Sequence, residues 1–335
     1  MRCGQTHTGL RPTLVEGLVS TIIPVHNRPA LLREAVASVL AQSYRPIEII
    51  IVDDGSTDNT AESIAALAAE HLRIVRHLRI RNAGPGAARE AGRVIASGEF
   101  IQYLDSDDLL LPRKFELQVG GLRAHPECDV AYGRTRVYRV GEPPGNMSCK
   151  RTGERIETMF PSFLQSRWWD TSTPLYRREV TDLAGPWTEL RSEEDWEYDC
   201  RIASKWGRLH YCDAFVSDSR IIFGYQLSAA GSSDPTKLAD RATAHSLILE
   251  HALAARIPHE TSEMQHFARK LFLLARQCGA AGLAEEARTL FGLSRHASGA
   301  EHSRGIDFVL YGMGARLVGW RAMGLLACYL DRFRP

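Results

Sequence analysis

The chain has 335 residues, of which 44% are hydrophobic and 24% charged, so it can form one large domain with a smaller one beside it. Its formal net charge of +1 gives no reason to expect a nucleic-acid-binding protein. The seven cysteines form no Cys-x-x-Cys pair, which argues against a zinc site of that type. No apolar run reaches membrane-spanning length, so a membrane-spanning protein is not expected and the cytoplasm is the expected location.

The predicted elements follow a leader over residues 1–17, which lacks the apolar core and cleavage site of a signal peptide. Strands are expected at 18–25, 47–52, 73–78 and 100–104, and helices at 30–42, 57–71 and 83–97. This alternation predicts an α/β fold with a mostly parallel sheet between two layers of helices. In such sheets ligands bind beyond the carboxyl ends of the strands.

An acidic Asp-x-Asp pattern follows the last of these strands. Asp105 and Asp107 flank Ser106, and carboxylate oxygens suit Mg²⁺ or Mn²⁺, which commonly share their coordination with substrate phosphates. The alternative is a plain turn, or the cap of a helix that begins near Leu109. The other strand ends favour the metal interpretation because they carry polar clusters that would line the same rim.

Two of those clusters are suited to a nucleotide. Asp53 and Asp54 could accept hydrogen bonds from a nucleobase or a ribose, although an Asp-Gly turn is the alternative. Beyond Asn82, the glycine-rich helix start at Gly84 favours phosphate, and Arg89 could bind a pyrophosphate oxygen. The stretch is neither a dinucleotide fingerprint nor a P-loop, so a nicotinamide-dependent oxidoreductase is a weaker alternative.

The order and spacing of four motifs, at residues 23–27, 52–58, 82–89 and 104–108, resemble those of family 2 glycosyltransferases. These are inverting, nucleotide-sugar-dependent enzymes of the GT-A fold. The resemblance is specific to about residue 115, looser to about 225, and absent from the C-terminal third. It implies a nucleotide-diphosphate sugar, usually linked to UDP, with Mg²⁺ or Mn²⁺ at Asp105 and Asp107.

By the same resemblance, Pro24, Val25, Asp53 and Asp54 would contact the base and ribose, and Arg89 would contact the diphosphate. The expected substrate-binding residues are Pro24, Val25, Asn27, Asp53, Asp54, Asn82, Gly84, Arg89, Asp105, Ser106 and Trp169. Trp169 is included because indole faces stack on sugars, but paired aromatic residues are more often part of a core.

An acidic segment at residues 192–199 resembles the family's Glu-Asp-Trp motif. An inverting displacement needs a carboxylate that removes the acceptor hydroxyl proton, and we expect Asp195 in that role with Glu194 as the second choice. The alternative is an acidic helix start, where carboxylates favour the helix dipole. The Gln-x-x-Arg-Trp motif of processive synthases is absent, which favours a single addition.

The last third is expected to be helical at 234–253, 262–278 and 283–293. Residues 307–330 are apolar but are interrupted by Arg316 and Arg321, so a membrane-spanning helix is not expected. Two alternatives are a packed helix and an interfacial helix, with Arg332 and Arg334 near anionic lipid.

The sequence thus predicts a GT-A domain at 18–225 and a helical region at 232–335. The predicted activity is transfer of one sugar to a hydroxyl acceptor such as a glycan or lipid-linked precursor of the cell surface, as in polysaccharide biosynthesis. A catalytically silent nucleotide-sugar- or glycan-binding protein is the alternative. The expected location is the cytoplasm, either free or at the inner face of the plasma membrane.

Overall fold

The computed structural model describes residues 12–221, 234–302 and 305–331. Its strands are β1 (Val15–Val25), β2 (Ile47–Asp54), β3 (Val75–Ile80), β4 (Gly98–Tyr103), β5 (Leu109–Leu110), β6 (Val130–Arg139), β7 (Leu175–Arg177) and β8 (Leu209–Ile221). Within the described residues they form one sheet in the order β3-β2-β1-β4-β7-β6-β8-β5. Strands β1 to β4 pair in parallel, whereas β7 lies antiparallel to both β4 and β6.

The helices lie on both faces of this sheet and in a separate C-terminal group. They are α1 (Pro29–Leu40), α2 (Thr60–Glu70), α3 (Pro85–Ile95), α4 (Lys114–Ala124), α5 (Arg178–Ala184), α6 (Glu194–Ala203), α7 (Pro235–Ala254), α8 (Ser262–Ala280), α9 (Ala284–His302), α10 (Ile306–Val318) and α11 (Trp320–Asp331). Local sequence explains several starts. Pro85 occupies the first turn of α3, and Asp234 caps α7 by accepting from the backbone N–H of Thr236 at 2.9 Å.

The parallel half of the sheet confirms the predicted α/β architecture. Strand β2 is buried along its whole length because helices cover both of its faces. In the register, Val25 lies beside Asp53 and Asp53 lies beside Arg79, so the carboxyl ends of β1, β2 and β3 meet at one edge. The described residues form two hydrophobic cores, and one of them runs from the sheet into the C-terminal helices, where Trp196 packs edge-on against Phe267.

Two features differ from the prediction. Strand β1 begins at Val15, inside the predicted leader, where Val15 pairs with Gly98; residues 1–11 and the predicted domain boundary near 225 lie outside the described residues. The helix predicted near Leu109 is wrong. Leu109 and its neighbour instead pair antiparallel with β8, and α4 begins only at Lys114.

The C-terminal apolar stretch is not one helix. Gly319 adopts a φ of 87°, a left-handed conformation that glycine tolerates, and it separates α10 from α11. In the described part of the chain, none of the helices combines the length and the apolar character needed to cross a membrane.

Candidate active site

The loops after β1 and β2 are joined by hydrogen bonds. The backbone N–H of Asn27 donates to Ser56 Oγ at 3.0 Å, and Asn27 Oδ1 accepts from the backbone N–H of Thr57 at 2.8 Å. Asn27 itself has a φ of 53°, which asparagine tolerates better than most residues. Pro24 and Val25 are buried at the end of β1, so the structure brings these three predicted residues to the rim.

The carboxylates of Asp53 and Asp54 hold turns at the same rim. Asp54 accepts from the backbone N–H groups of Ala83 and Gly84, at 2.7 and 3.0 Å, and so fixes the start of α3. Asp53 accepts from the backbone N–H of Ser56 at 2.8 Å. These hydrogen bonds agree with the alternative interpretation of this pair as part of a turn. Contact of Asp53 and Asp54 with a nucleotide stays a prediction.

Asn82 and Gly84 lie directly before α3, as predicted. The Asn82 side chain donates to the Asp54 carbonyl at 3.1 Å and accepts from Arg191 at 2.9 Å. Gly84 has a φ of 95°, and an added Cβ would lie 3.2 Å from Arg191 Cγ. The segment before α6 therefore packs closely on the predicted phosphate-binding turn.

The Asp105-Ser106-Asp107 stretch leaves β4 at the neighbouring strand end. Asp105 Oδ1 accepts from Arg89 at 2.7 Å and Asp107 Oδ2 accepts from Arg28 at 2.6 Å, yet both carboxylates stay partly exposed. Ser106 is buried between them. Burial, and then the negative charge of Asp105, raise the pKa of Asp107.

Their donor set fits a hard divalent ion. Among the described residues, no three or more His, Cys, Asp or Glu side chains gather into a protein-only metal site. Mg²⁺ seldom uses such a site, because it is usually bound by one or two carboxylates together with substrate phosphates and water. Asp105 and Asp107 are the pair that could hold it.

Arg89 links this stretch to the acidic start of α6. Its Nη2 donates to Asp105 and its Nη1 donates to Glu194 Oε1 at 2.8 Å, while the guanidinium lies 4.9 Å from the Trp187 ring centre. The side chain is buried, and both terminal nitrogens already serve carboxylates. Binding of a diphosphate by Arg89 would have to use the N–H groups that these two carboxylates leave, or displace one of the carboxylates.

The pKa values of the neighbouring residues Glu194 and Asp195 are shifted in opposite directions. Burial, and then the charge of Asp195, raise the pKa of Glu194 to about 7. Burial also opposes ionisation of Asp195, but the charges of Arg167 and Arg89 outweigh it and lower the Asp195 pKa. The Asp195 side chain is 27% exposed and that of Glu194 only 8%, so an acceptor can reach Asp195 more readily.

Trp169 belongs to the core. Its side chain is fully buried, with its ring centre 4.8 Å from Phe163 and 5.2 Å from Tyr132, and its indole N–H donates to Asp199 at 3.1 Å. The core alternative noted for the paired tryptophans accounts for these contacts. No ring face of Trp169 is open to a sugar in this conformation.

Two arginines of the site were not predicted as site residues from the sequence. Arg28 pairs with Asp107, and Arg167 pairs with both Asp195 and Asp199. Both lie in stretches that the motifs had marked, residues 26–28 and 167–176. Nothing local in the sequence identifies their partners, which lie 79 positions from Arg28 and 28 and 32 positions from Arg167.

The chain matches the family model described as glycosyl transferase family 2 over residues 20–179. An uncharacterized glycosyltransferase from Rickettsia conorii is 34% identical over 164 residues, which are 49% of this chain and 26% of the relative. This chain therefore matches only about a quarter of that relative's length.

Solved structures share the fold at low sequence identity. The S. aureus TarS 1–349 structure in complex with UDP-GlcNAc has a TM-score of 0.65 at 19% identity, covering 92% of this chain and 88% of TarS 1–349. Mannosyltransferase PcManGT from Pyrobaculum calidifontis, in complex with GDP-Man and Mn²⁺, has a TM-score of 0.50 at 16% identity, covering 97% and 89%. The predicted GT-A type of fold, with its C-terminal helices, is confirmed.

Proposed function

Because residues 20–179 belong to glycosyl transferase family 2, we propose that this glycosyltransferase moves one sugar from a nucleotide-diphosphate sugar to a hydroxyl acceptor, with inversion. The observation that carries the proposal is the buried Arg89 bridge between Asp105 and Glu194. It joins the stretch suited to the donor's diphosphate to the acidic segment suited to activating an acceptor.

The donor is held at the rim formed by the ends of β1, β2 and β4. A UDP-linked sugar is the first choice, since TarS was solved with UDP-GlcNAc, whereas PcManGT was solved with GDP-Man. Asp105 and Asp107 would hold Mg²⁺ or Mn²⁺, which supplies positive charge for the leaving diphosphate when it is bound. The Mn²⁺ in PcManGT supports this choice of ion.

Asp195 acts as the general base in this proposal. It accepts the acceptor hydroxyl proton while that oxygen attacks the anomeric carbon from the face opposite to the diphosphate. Its lowered pKa keeps it ionised, and its partial exposure leaves it accessible. Arg167 orients the carboxylate, and Arg89 holds neighbouring Glu194.

Titration with UDP-, GDP- and dTDP-sugars, with and without Mn²⁺, tests the donor side, followed by transfer assays on glycan and lipid-linked acceptors. We expect a UDP-sugar to bind in a Mn²⁺-dependent manner, and Asp107→Ala to remove most of that dependence. Equal affinity with and without Mn²⁺ in the parent protein would contradict the metal assignment. Donor binding without either transfer or donor hydrolysis would favour the catalytically silent alternative.

We also propose that the C-terminal helices dock on an anionic lipid surface and bring the site to a lipid-linked acceptor. The large apolar side chains exposed on α10 and α11, here called the apolar face, are Ile306, Val309, Leu310, Met313, Leu317, Val318, Leu325, Leu326, Tyr329 and Leu330. A patch of this extent normally marks an interaction site.

The charges around the apolar face favour lipid over a second protein surface. Arg316, in the last turn of α10, and Arg321, in the first turn of α11, are exposed, and within the described part of the chain neither makes an ion pair. Asp307, the exposed acid of α10, is already paired with Arg269 at 2.6 Å. Unpaired cations beside apolar side chains complement a surface of acyl chains and anionic headgroups.

A further inference from the structure

Helix α6, which carries Glu194 and Asp195, begins from an unusual backbone conformation. Glu193 has φ 61° and ψ 16°, the left-handed region that a residue with a Cβ seldom adopts. Such a conformation costs free energy and persists only where the surrounding contacts hold it. Since Glu193 directly precedes the two candidate catalytic carboxylates, whatever holds it also sets their position.

The contacts that hold Glu193 come from the helical region. Arg241 Nε on α7 donates to Glu193 Oε1 at 3.0 Å. His245 Nε2, one turn further along α7, lies 2.8 Å from Oε2, which is an ion-pair distance without hydrogen-bond angles. The imidazole is buried between Trp196 and Phe267, with ring centres 5.2 and 5.4 Å away. We call Glu193, Arg241 and His245 the clamp.

The electrostatics agree with this geometry. Burial opposes ionisation of Glu193, but His245 and then Arg241 outweigh it and lower the pKa of the carboxyl. Lys270 of α8 adds a further positive charge to the same cavity, which Gln277 also lines. The Glu193 carboxylate therefore lies among basic side chains that all belong to the helical region.

A second contact between α6 and α7 provides a natural comparison. Glu197, one turn into α6, pairs with His251 at 2.9 Å and also with Arg201 at 2.5 Å. This contact ties the same two helices together by the same kind of His–Glu pair. It lies beyond the candidate catalytic carboxylates and involves no strained residue.

We propose that Arg241 and His245 are positioning residues, which hold Glu193 in its left-handed conformation and thereby orient Glu194 and Asp195. The helical region then takes part in catalysis through the backbone rather than through contact with substrate. The catalytic consequence rests on the proposed function, whereas the backbone consequence can be measured without it.

Hydrogen exchange on the full chain tests the backbone consequence. In the parent, the N–H of Glu197 donates to the Glu193 carbonyl at 3.0 Å, which is the first hydrogen bond of α6. We expect Arg241→Met to speed exchange at Glu197 by about tenfold or more, because the opening that exposes this amide becomes less costly. Arg269→Met, which removes the Arg269–Asp307 ion pair elsewhere in the helical region, is the matched control and should leave that amide unchanged. Unchanged exchange in Arg241→Met, or equal acceleration in both variants, would overturn the proposal.

Turnover then tests the catalytic consequence in variants whose thermal unfolding shows that they remain folded. We expect Arg241→Met to lower kcat by about 10- to 100-fold, since small misplacements of reacting groups have effects of that size. The donor dissociation constant should stay constant, and Arg241→Lys should keep most of the activity. An equal loss in His251→Gln would mean general packing and overturn the positioning role. If the parent transferred no sugar, the proposed function would be wrong. The hydrogen-exchange result would still show whether the clamp holds the backbone at Glu193.

Discussion

The domain up to Ile221 and the helical region from Asp234 treat charged and apolar side chains in opposite ways. The first buries acidic and basic side chains around the rim, among them Arg89, Asp53 and Asp54, and each of these makes specific hydrogen bonds. The second exposes a row of large apolar side chains on α10 and α11. Buried ion pairs contribute little net stability, because desolvation offsets their attraction. Their presence in the first region therefore indicates a need for fixed geometry, whereas the exposed surface of the second indicates a need for a partner.

The largest effect should come from the fixed geometry of the first region. Asp195→Asn keeps the shape of the side chain but removes the proton acceptor, so we expect kcat to fall by about 10²–10⁴-fold. The donor dissociation constant should barely change, because the proposed donor site lies at the strand ends and does not include Asp195. Steady-state kinetics with a working acceptor, together with donor titration, measures both quantities.

The matched control for that change is Glu194→Gln, which alters the neighbouring carboxylate. A small loss in Glu194→Gln and a large one in Asp195→Asn would support Asp195 as the base. Near-parental turnover in Asp195→Asn would contradict the assignment. If neither change mattered, the segment would be the acidic helix start that the alternative interpretation describes.

In the helical region, fixed geometry comes from close packing of the helix backbones against each other. A Cβ added at Gly324 of α11 would lie 2.4 Å from the backbone nitrogen of Ala280 and 2.8 Å from the carbonyl oxygen of Arg276. Because backbone atoms cannot move aside cheaply, we expect Gly324→Ala to lower the free energy of unfolding by about 1–3 kcal/mol. Denaturant unfolding of the full chain measures this loss.

Gly120 of α4 serves as the control, since nothing lies within 4 Å of its added Cβ. Gly120→Ala should be neutral or slightly stabilising, as alanine is the better helix former. Equal stability of Gly120→Ala and Gly324→Ala would show that α11 is not tightly docked on α8.

The sequence predicted the parallel half of the sheet and the location of its polar rim. Strands such as β2 are continuous β-branched runs that end in carboxylates, so periodicity and end residues identify them locally. The helix predicted near Leu109 failed because Leu109 pairs with Asp218, which lies 109 positions away in the chain. Tertiary pairing of this kind overrides local propensity.

Side-chain partners in the site could not be predicted for the same reason. Arg89 was expected at a diphosphate, yet its buried guanidinium pairs with Glu194, 105 positions away. Nor does the sequence mark Glu193 as left-handed, because that conformation depends on Arg241 and His245 of another helix. Motifs therefore predict which residues gather at a site better than they predict which residues pair.

A smaller effect is expected on vesicle binding, where a leucine of the apolar face should matter and an equally exposed leucine elsewhere should not. Leu317 is 82% exposed on α10, and Leu72 is 81% exposed in the domain up to Ile221. We expect Leu317→Glu to weaken binding to phosphatidylserine-containing vesicles by about tenfold, because a charge replaces an inserting side chain. Leu72→Glu should leave binding unchanged in the same co-sedimentation assay.

The charge argument for lipid can be tested separately. Replacing Arg316 and Arg321 by glutamine should weaken binding by about 1 kcal/mol per arginine and reduce its dependence on salt. Binding that is equal on neutral and anionic vesicles would contradict the charge complementarity. A concentration-dependent dimer that Leu317→Glu abolishes, with no vesicle binding, would instead make the apolar face an interface between copies.

The smallest expected effect is that kcat/KM does not fall as the pH is lowered through neutrality. This pH dependence distinguishes Glu194 from Asp195 as the base. A general base works only when it is deprotonated, so activity falls as pH drops below its pKa. The pKa of Asp195 is lowered, so kcat/KM should show no acid limb near neutrality if Asp195 is the base. The pKa of Glu194 is raised to about 7, so Glu194 as the base would give a limb there, with a tenfold fall for each pH unit below it.

The variants make this test sharper than the rates alone. If Asp195 is the base, Glu194→Gln should keep the flat profile, because removing the raised carboxyl leaves Asp195 ionised. A limb near pH 7 in the parent that vanished in Glu194→Gln would show that the charge of Glu194 matters for turnover. If Glu194 is the base, the residual activity of Asp195→Asn should keep an acid limb, and that limb should move to lower pH because the charge of Asp195 no longer raises the pKa of Glu194. The Arg89 bridge would then connect the base directly to the carboxylate that faces the donor's diphosphate.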